Sequence, residues 1–246
     1  AAGLGVSGKK PFVSIYSSFL QRAYDQVNHD ICRMNLPCVI GIDRAGLVGE
    51  DGETHHGVFD IAILRSIPNL VMCQPKDANE AQDLLYTGFE SKHPYAIRYP
   101  RGSALSANKP FELIEIGSWT KEIYNTINDC TILAYGPDVV RIKEKIVSNN
   151  LSVNVINARF FKPLDEKMIQ ELVDLGKPVI IYETDMLQSG LGSAVLEYLN
   201  QHQLSLVIHR MGIDDQFVKA GSMNMLRHEL HLDYQALFEK VKQVKE

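Results

Sequence analysis

The strongest constraint on this chain is an alternation that occurs twice. Short apolar runs rich in β-branched residues are followed by segments of helical periodicity. Phe12–Tyr16, Cys38–Asp43, Leu70–Cys73 and Tyr95–Arg98 read as strands in the first half. Thr131–Tyr135, Ser152–Ile156, Val179–Tyr182 and Leu206–His209 repeat the pattern in the second. Runs that are apolar on both faces suit a sheet covered on both sides, the environment of parallel strands. The doubled alternation predicts an α/β fold of two doubly wound, mainly parallel-sheet domains.

The intervening segments supply the helices. Phe19–Asn35 is predicted helical, because Phe19, Ala23, Val27, Ile31 and Met34 fall on one stripe. Asp77, with Glu80 three residues later, opens a helix through Ser91 on a cue that resembles a capping box. Val139–Ser148, Asp165–Leu175, Gly192–Gln201 and Asp233–Val244 also carry the helical period. Arg101–Thr120 loses periodicity and holds Gly102, Pro110 and Gly117. The chain is therefore divided into a domain at 1–101, a linker at 102–120 and a domain at 121–246.

Length and composition exclude several classes. The 246 residues have room for one large or two modest domains, and 45% hydrophobic with 22% charged residues is ordinary for a soluble globular protein. A net charge of −5 gives no electrostatic reason to expect nucleic acid as a partner. No apolar run approaches the ~20 residues of a membrane span, and no targeting segment is visible. Cys32, Cys38, Cys73 and Cys130 lack metal-ligand spacing and read as buried free thiols of a reducing, cytoplasmic compartment.

In open parallel sheets, ligands bind beyond the carboxyl ends of strands. Tyr16–Arg22 and Asp43–His56 both follow strands directly, so both stand on that rim. Ser17 and Ser18 suit either helix capping or a phosphate at the helix start. Phe19 reads either as the first core residue of its helix or as a ring offered to a flat ligand. Arg22 follows within one turn, with Asp25 spaced for an internal ion pair. The loop from Arg44 to Gly57 is the stronger signal. Its glycines allow tight turns, and Arg44, Asp51, His55 and His56 supply a cation, an acid and two imidazoles. Adjacent histidines on an extended chain point apart, and no third ligand is at useful spacing, so no metal site is expected. Arg101, between Pro100 and Gly102 at a strand end, suits a phosphate or carboxylate clamp, or a surface position in a linker.

Taken together, these segments resemble the 1-deoxy-D-xylulose-5-phosphate synthases, a family of thiamine-diphosphate enzymes in the transketolase superfamily. YSSFLQRAYDQ (Tyr16–Gln26), IDRAGLVGEDGETHHGVFD (Ile42–Asp60), Pro75-Lys76-Asp77 and Tyr99-Pro100-Arg101-Gly102 carry the resemblance. It continues through Phe161–Asp165, Glu183, Gly190–Ala194 and Gly212-Ile213-Asp214, and so runs the whole chain. The run around Gly190 departs from the family in one place, with Ser189 where a second Gly is usual.

The resemblance implies the pyrimidine-binding domain, truncated at its start, and a transketolase C-terminal domain. It implies Phe19 stacked on the cofactor's pyrimidine ring. Tyr16, Arg44 and Arg101 would hold the phosphate of D-glyceraldehyde 3-phosphate, with Arg22 in the same cleft. Asp51 and His55 would be the acid/base and positioning residues near the substrate hydroxyls. The implied reaction decarboxylates pyruvate and joins the two-carbon unit to the aldehyde, giving 1-deoxy-D-xylulose 5-phosphate and CO₂. That is the first step of the non-mevalonate isoprenoid route, and it also feeds thiamine biosynthesis. The complete enzyme would use thiamine diphosphate with Mg²⁺ and form a homodimer. The family's G-D-G…N diphosphate motif is not in this sequence, and its activating Glu is implied to lie ahead of Ala1. The chain alone is therefore expected to be inactive and to bind the cofactor weakly. Two other readings are a β-type subunit of a split transketolase or 2-oxoacid dehydrogenase, and a non-catalytic fragment.

Overall fold

The computed structural model describes residues 1–104 and 109–245. After a short helix α1 (Ala2–Val6), the first half lays down β1 (Phe12–Tyr16), helix α2 (Ser17–Leu20), β2 (Val39–Asp43), helix α3 (Asp60–Leu64), β3 (Val71–Cys73), helix α4 (Ala78–Glu90) and β4 (Tyr95–Tyr99). The second half adds β5 (Thr120–Ile123), β6 (Cys130–Ala134), helix α5 (Asp138–Ser148), β7 (Val153–Asn157), β8 (Phe160–Lys162) and helix α6 (Glu166–Leu175). It finishes with β9 (Val179–Met186), helix α7 (Leu191–Gln201), β10 (Ile208–Ile213) and helices α8 (Met223–Glu229) and α9 (Tyr234–Lys245).

These strands form two five-stranded sheets, ordered β1-β2-β4-β3-β8 and β10-β9-β6-β7-β5. Each is parallel except for one edge strand, β8 against β3 and β5 against β7. The α/β fold with mainly parallel sheets is thus present. β8 crosses the expected division of the chain: it follows the 102–120 segment yet completes the first sheet. Residues 105–108 of that segment lie outside the described residues. Beyond them it runs along α4, where Glu112 N–H donates to Asp83 (3.1 Å) and Ile114 N–H to the Thr87 hydroxyl (2.9 Å).

The helix expected over Phe19–Asn35 is not one regular helix. α2 gives way to a 3₁₀ turn at Gln21–Ala23 and then to a π-helix at Gln26–Cys32. Its wide turns are closed by five-residue bonds, Arg33 N–H to Asn28 O (2.9 Å) and Leu36 N–H to Ile31 O (3.0 Å). The wider turn buries Val27, Ile31 and Cys32, while the two ends of the anticipated stripe, Phe19 and Met34, are about half exposed. No Arg22–Asp25 ion pair forms among the described residues. All four cysteines are free and buried, and burial pushes the Cys32 and Cys130 thiols up to about 11.

Buried polar side chains join the two halves. Asp77 caps α4 by accepting the Glu80 N–H (2.8 Å), as anticipated. Glu80, however, does not return to the cap residue. It accepts from Lys76 N–H (2.7 Å), the Asn157 amide (2.9 Å) and Arg159 (3.3 Å), which ties α4 to the second half. Arg98 on β4 has no exposed surface. It donates to both oxygens of Asp60 (2.6 and 2.9 Å), to Gln74 (2.6 Å) and to Asp185 on β9 (2.6 Å). Tyr135 donates to the other Asp185 oxygen at 2.5 Å. Burial raises the Asp185 carboxyl to about 6, against the pull of Arg98.

Next to Asp185 on β9, Glu183 is also fully buried and accepts the first N–H groups of α7, Leu191 at 2.6 Å and Gly192 at 3.0 Å. A Cβ on Gly190 or Gly192 would lie 2.3 or 2.8 Å from its oxygens, so only glycine lets the carboxylate approach. Ser189 sits just before them with φ 60°, the left-handed turn that glycine adopts without strain.

Arg98→Met would leave Asp60 and Asp185 buried without their cation. We expect a loss of about 3–5 kcal/mol in urea unfolding, the range for breaking one side of a buried ion pair. Burial raises the Glu183 carboxyl from 4.5 to about 7, so the folded chain binds its proton more tightly than the unfolded chain. That contribution is present at low pH and is lost as pH rises from about 4.5 to about 7. The stability of the wild type relative to Glu183→Gln should therefore fall across that window and level off above it, measured as paired melts at several pH values.

Candidate active site

The register of the first sheet builds the site. Tyr16 pairs with Asp43, and Asp43 with Tyr99, so β1, β2 and β4 end on one line. The next residues are Ser17, Arg44 and Pro100-Arg101, which places three of the expected site segments side by side at the carboxyl edge. Arg44 leaves β2 with φ 56°, an uncommon conformation for a residue with a side chain. Asp43 holds it there, accepting the Arg44 N–H at 2.7 Å and its guanidinium at 2.9 Å. The guanidinium lies 4.1 Å above the Tyr16 ring.

Phe19 is not a core residue. It is 47% exposed and stacks on Tyr16, with ring centroids 5.3 Å apart and planes 11° from parallel. His55 meets Phe19 edge-on at 5.5 Å, and its Nδ1 lies 3.0 Å from the Thr54 hydroxyl. The Ser18 hydroxyl beside Phe19 is buried with no partner among the described residues. Neither Ser17 nor Ser18 caps α2, whose N-cap is Tyr16 without a side-chain bond. An open aromatic face next to an unsatisfied hydroxyl suits a flat heteroaromatic ring with polar edge atoms.

The loop carrying Arg44, Asp51 and His55 closes on itself at its neck. Gly46 and Gly57 exchange two backbone hydrogen bonds, at 2.6 and 2.8 Å. A Cβ on Gly57 would lie 2.2 Å from Arg44 O and 2.6 Å from Ser17 Cβ. Within the loop, Asp51 joins both cations, with Arg44 Nε at 3.5 Å and Arg101 Nη1 at 2.7 Å. Six expected site residues, Tyr16, Phe19, Arg44, Asp51, His55 and Arg101, are thus linked by ring contacts or ion pairs. Arg22 is exposed and has no side-chain hydrogen bond or ion pair to them. The other side of the loop, Gly46 to Glu50, forms one wall of a cleft of about 720 Å³ that also includes Arg101, Asp138, Arg141 and Arg227. Among the described residues, no three His, Cys, Asp or Glu side chains gather as a metal site.

Two contributors were missed at the sequence level. In the sequence Asp43 is a strand end at the head of the rim segment with no role of its own, and its adjacency to Arg44 is the available signal. In the sequence His56 is one of two loop imidazoles, weighed only as a metal ligand and given no other role. It is 3% exposed, turned away from Phe19, and bonded through both ring nitrogens.

Comparison with known proteins agrees with this architecture. The family model for the pyrimidine-binding domain of transketolase matches residues 1–105, and the model for the transketolase C-terminal domain matches residues 122–237. The chain belongs to the transketolase family. Within it, the chain is similar to the 1-deoxy-D-xylulose-5-phosphate synthases. It is 48% identical to that of Geobacillus sp. (strain WCH70) over 99% of this chain and 40% of that protein. It is 44% identical to that of Aquifex aeolicus over 98% of this chain and 39% of that protein. The chain therefore spans about 40% of the length of the curated relatives it matches. A solved split-gene transketolase, described as an inactive β4 tetramer, superposes with a TM-score of 0.86 at 25% identity, covering 100% of this chain and 79% of that one. A transketolase from Campylobacter jejuni shares the fold at TM-score 0.73 and 17% identity, over 96% of this chain and 36% of that one.

Gly57→Ala should open the neck of the loop. Amide hydrogen exchange across residues 44–57 is expected to rise by about tenfold or more while the strands keep their protection. Unchanged exchange there would show that the loop is held by other contacts.

Proposed function

We propose that this chain supplies the ring platform and the acceptor clamp of a thiamine-diphosphate-dependent carboligase. The proposed reaction joins pyruvate and D-glyceraldehyde 3-phosphate into 1-deoxy-D-xylulose 5-phosphate with release of CO₂. The similarity to synthases of that name supports the reaction class. The observation that carries the acceptor site is Asp51, one carboxylate holding Arg44 and Arg101 from two different strand ends.

The open face of Phe19, with the Ser18 hydroxyl beside it, would receive the cofactor's pyrimidine. When bound, thiamine diphosphate supplies the electron sink that lets the carboxylate of a 2-oxo acid leave as CO₂. Its diphosphate and Mg²⁺ would be held by a region outside these residues, in a complete enzyme that we read as a cytoplasmic homodimer. The Arg44 and Arg101 guanidiniums bind the acceptor phosphate in forked geometry, with Tyr16 packed beneath Arg44. Arg22 adds a further cation to the rim. Asp51 keeps the two guanidiniums spaced. His55 stands edge-on to Phe19, at 5.5 Å, where an imidazole can pass a proton to the oxygen of the aldehyde as the new C–C bond forms.

The split-gene transketolase favours a second reading, a β-type subunit, because it matches the whole chain over most of its own length. The two readings differ in their donors. A synthase consumes pyruvate and releases CO₂, whereas a transketolase moves a two-carbon unit from a ketose phosphate without CO₂.

In the holoenzyme that contains this chain, Arg101→Ala should raise KM for glyceraldehyde 3-phosphate roughly 10- to 150-fold, the effect of losing one charge-assisted hydrogen bond. KM for pyruvate and for unphosphorylated glyceraldehyde should change little. An unchanged KM for the phosphorylated acceptor would rule out the clamp, and release of no CO₂ from pyruvate would favour the split transketolase.

A further inference from the structure

The two histidines of the loop face opposite ways, and the buried one does something the exposed one does not. His56 Nδ1 takes the Val48 N–H at 3.2 Å, and its Nε2 lies 3.0 Å from the carbonyl of Lys219. A backbone N–H can only donate and a carbonyl can only accept. The ring hydrogen must therefore sit on Nε2, and both bonds are used at once. Val48 lies at the start of the turn bearing Asp51, and Lys219 belongs to the second half of the chain. One imidazole thus closes the loop and pins it to the second half.

The same segment of the second half supports the turn itself. A Cβ on Gly49 would lie 3.3 Å from Gly221 O, and one on Gly52 would lie 3.8 Å from Ala220 Cβ. Both glycines have positive φ, 68° and 93°, and they bracket Glu50 and Asp51. The turn Gly49–Asp51 is therefore seated on Lys219–Gly221, with His56 as its hydrogen-bonded anchor. Asp51 in turn sets the spacing of Arg44 and Arg101.

We propose that His56 is a positioning residue for anion binding: through Val48 and Lys219 it fixes Asp51, and so fixes the two guanidiniums in the spacing that receives a phosphate. The inference rests on the reading of Arg44 and Arg101 as the acceptor-phosphate clamp. It assigns the second half of the chain a part in recognising the phosphorylated substrate, although none of its own side chains takes part in the Arg44–Asp51–Arg101 cluster. His56 touches no reacting atom in this scheme.

The test compares His56→Leu, His56→Gln and Arg101→Ala in the holoenzyme, each assayed with glyceraldehyde 3-phosphate and with unphosphorylated glyceraldehyde. His56→Leu removes both bonds at similar bulk. It should raise KM for the phosphorylated acceptor roughly 5- to 20-fold, with kcat within about twofold and the unphosphorylated acceptor little affected. Glutamine has an amide oxygen for the Val48 N–H and an amide N–H for the Lys219 carbonyl, and it should recover most of the loss. Equal effects on both acceptors, no effect, or a glutamine variant no better than leucine would each overturn the proposal. If Arg101→Ala discriminates between the acceptors and His56→Leu does not, His56 alone is misassigned. If Arg101→Ala does not discriminate, the clamp fails and the positioning role falls with it. Should the leucine variant not fold, ¹⁵N-histidine spectra of the wild type decide. A slowly exchanging hydrogen on His56 Nε2 is expected, and one on Nδ1 would overturn the assignment.

Discussion

Arg98 is the interaction on which the remaining structure depends. A guanidinium with no exposed surface is tolerated only where every donor finds an acceptor, and here Asp60, Gln74, Asp185 and the Gly57 carbonyl share them. Each partner belongs to a different part of the molecule. Asp60 opens α3, Gln74 follows β3, Asp185 lies on the second sheet, and Gly57 closes the neck of the site loop. Removing any one leaves a buried charge or guanidinium N–H donor that water cannot reach. The network therefore orients the two sheets and roots the loop in one place. It also steadies the end of β4, three residues before Arg101.

The site itself follows from sheet geometry. Parallel strands in register end together, and the chain must turn at that edge. Tyr16, Asp43 and Tyr99 are aligned partners, so whatever follows them is brought within reach. The ring of Tyr16 then becomes the floor for Arg44, and Asp51 returns over the top to join Arg44 with Arg101. Glycine matters most where backbones meet, at Gly57 beneath Arg44 and at Gly190 and Gly192 around the Glu183 carboxylate.

The second half is more than a neighbour of the first. It lends β8 to the first sheet, receives Glu80 from α4 at Asn157 and Arg159, and returns the forked Arg65–Glu197 pair at 2.7 and 2.8 Å. It also carries the Lys219–Gly221 segment on which the Asp51 turn rests. A change in how the halves meet would reach the site through these contacts.

The sequence by itself determined the α/β class, the mainly parallel sheets and the residue types on the rim. Those features are local, since strand and helix period, a capping Asp and a polar loop after an apolar strand are all read within a few residues. Tertiary structure decided the rest. The stripe from Phe19 to Met34 satisfies a regular helix, yet packing around Val27, Ile31 and Cys32 selected a π-helix and left Phe19 free at the rim. β5 carries Lys121 and Glu122 and β8 offers only two apolar residues, so neither stands out as an apolar run, and their edge positions exist only because a sheet is already there to pair with. Arg98 reads as one more strand residue until Asp60 and Asp185, 38 and 87 residues away, arrive beside it. The sequence names Arg44, Asp51, His55 and Arg101 as reactive types, but their spacing, and the opposite facing of His55 and His56, are set by strand register and by contacts with the second half. A linear pattern does not encode which distant groups will share a hydrogen bond.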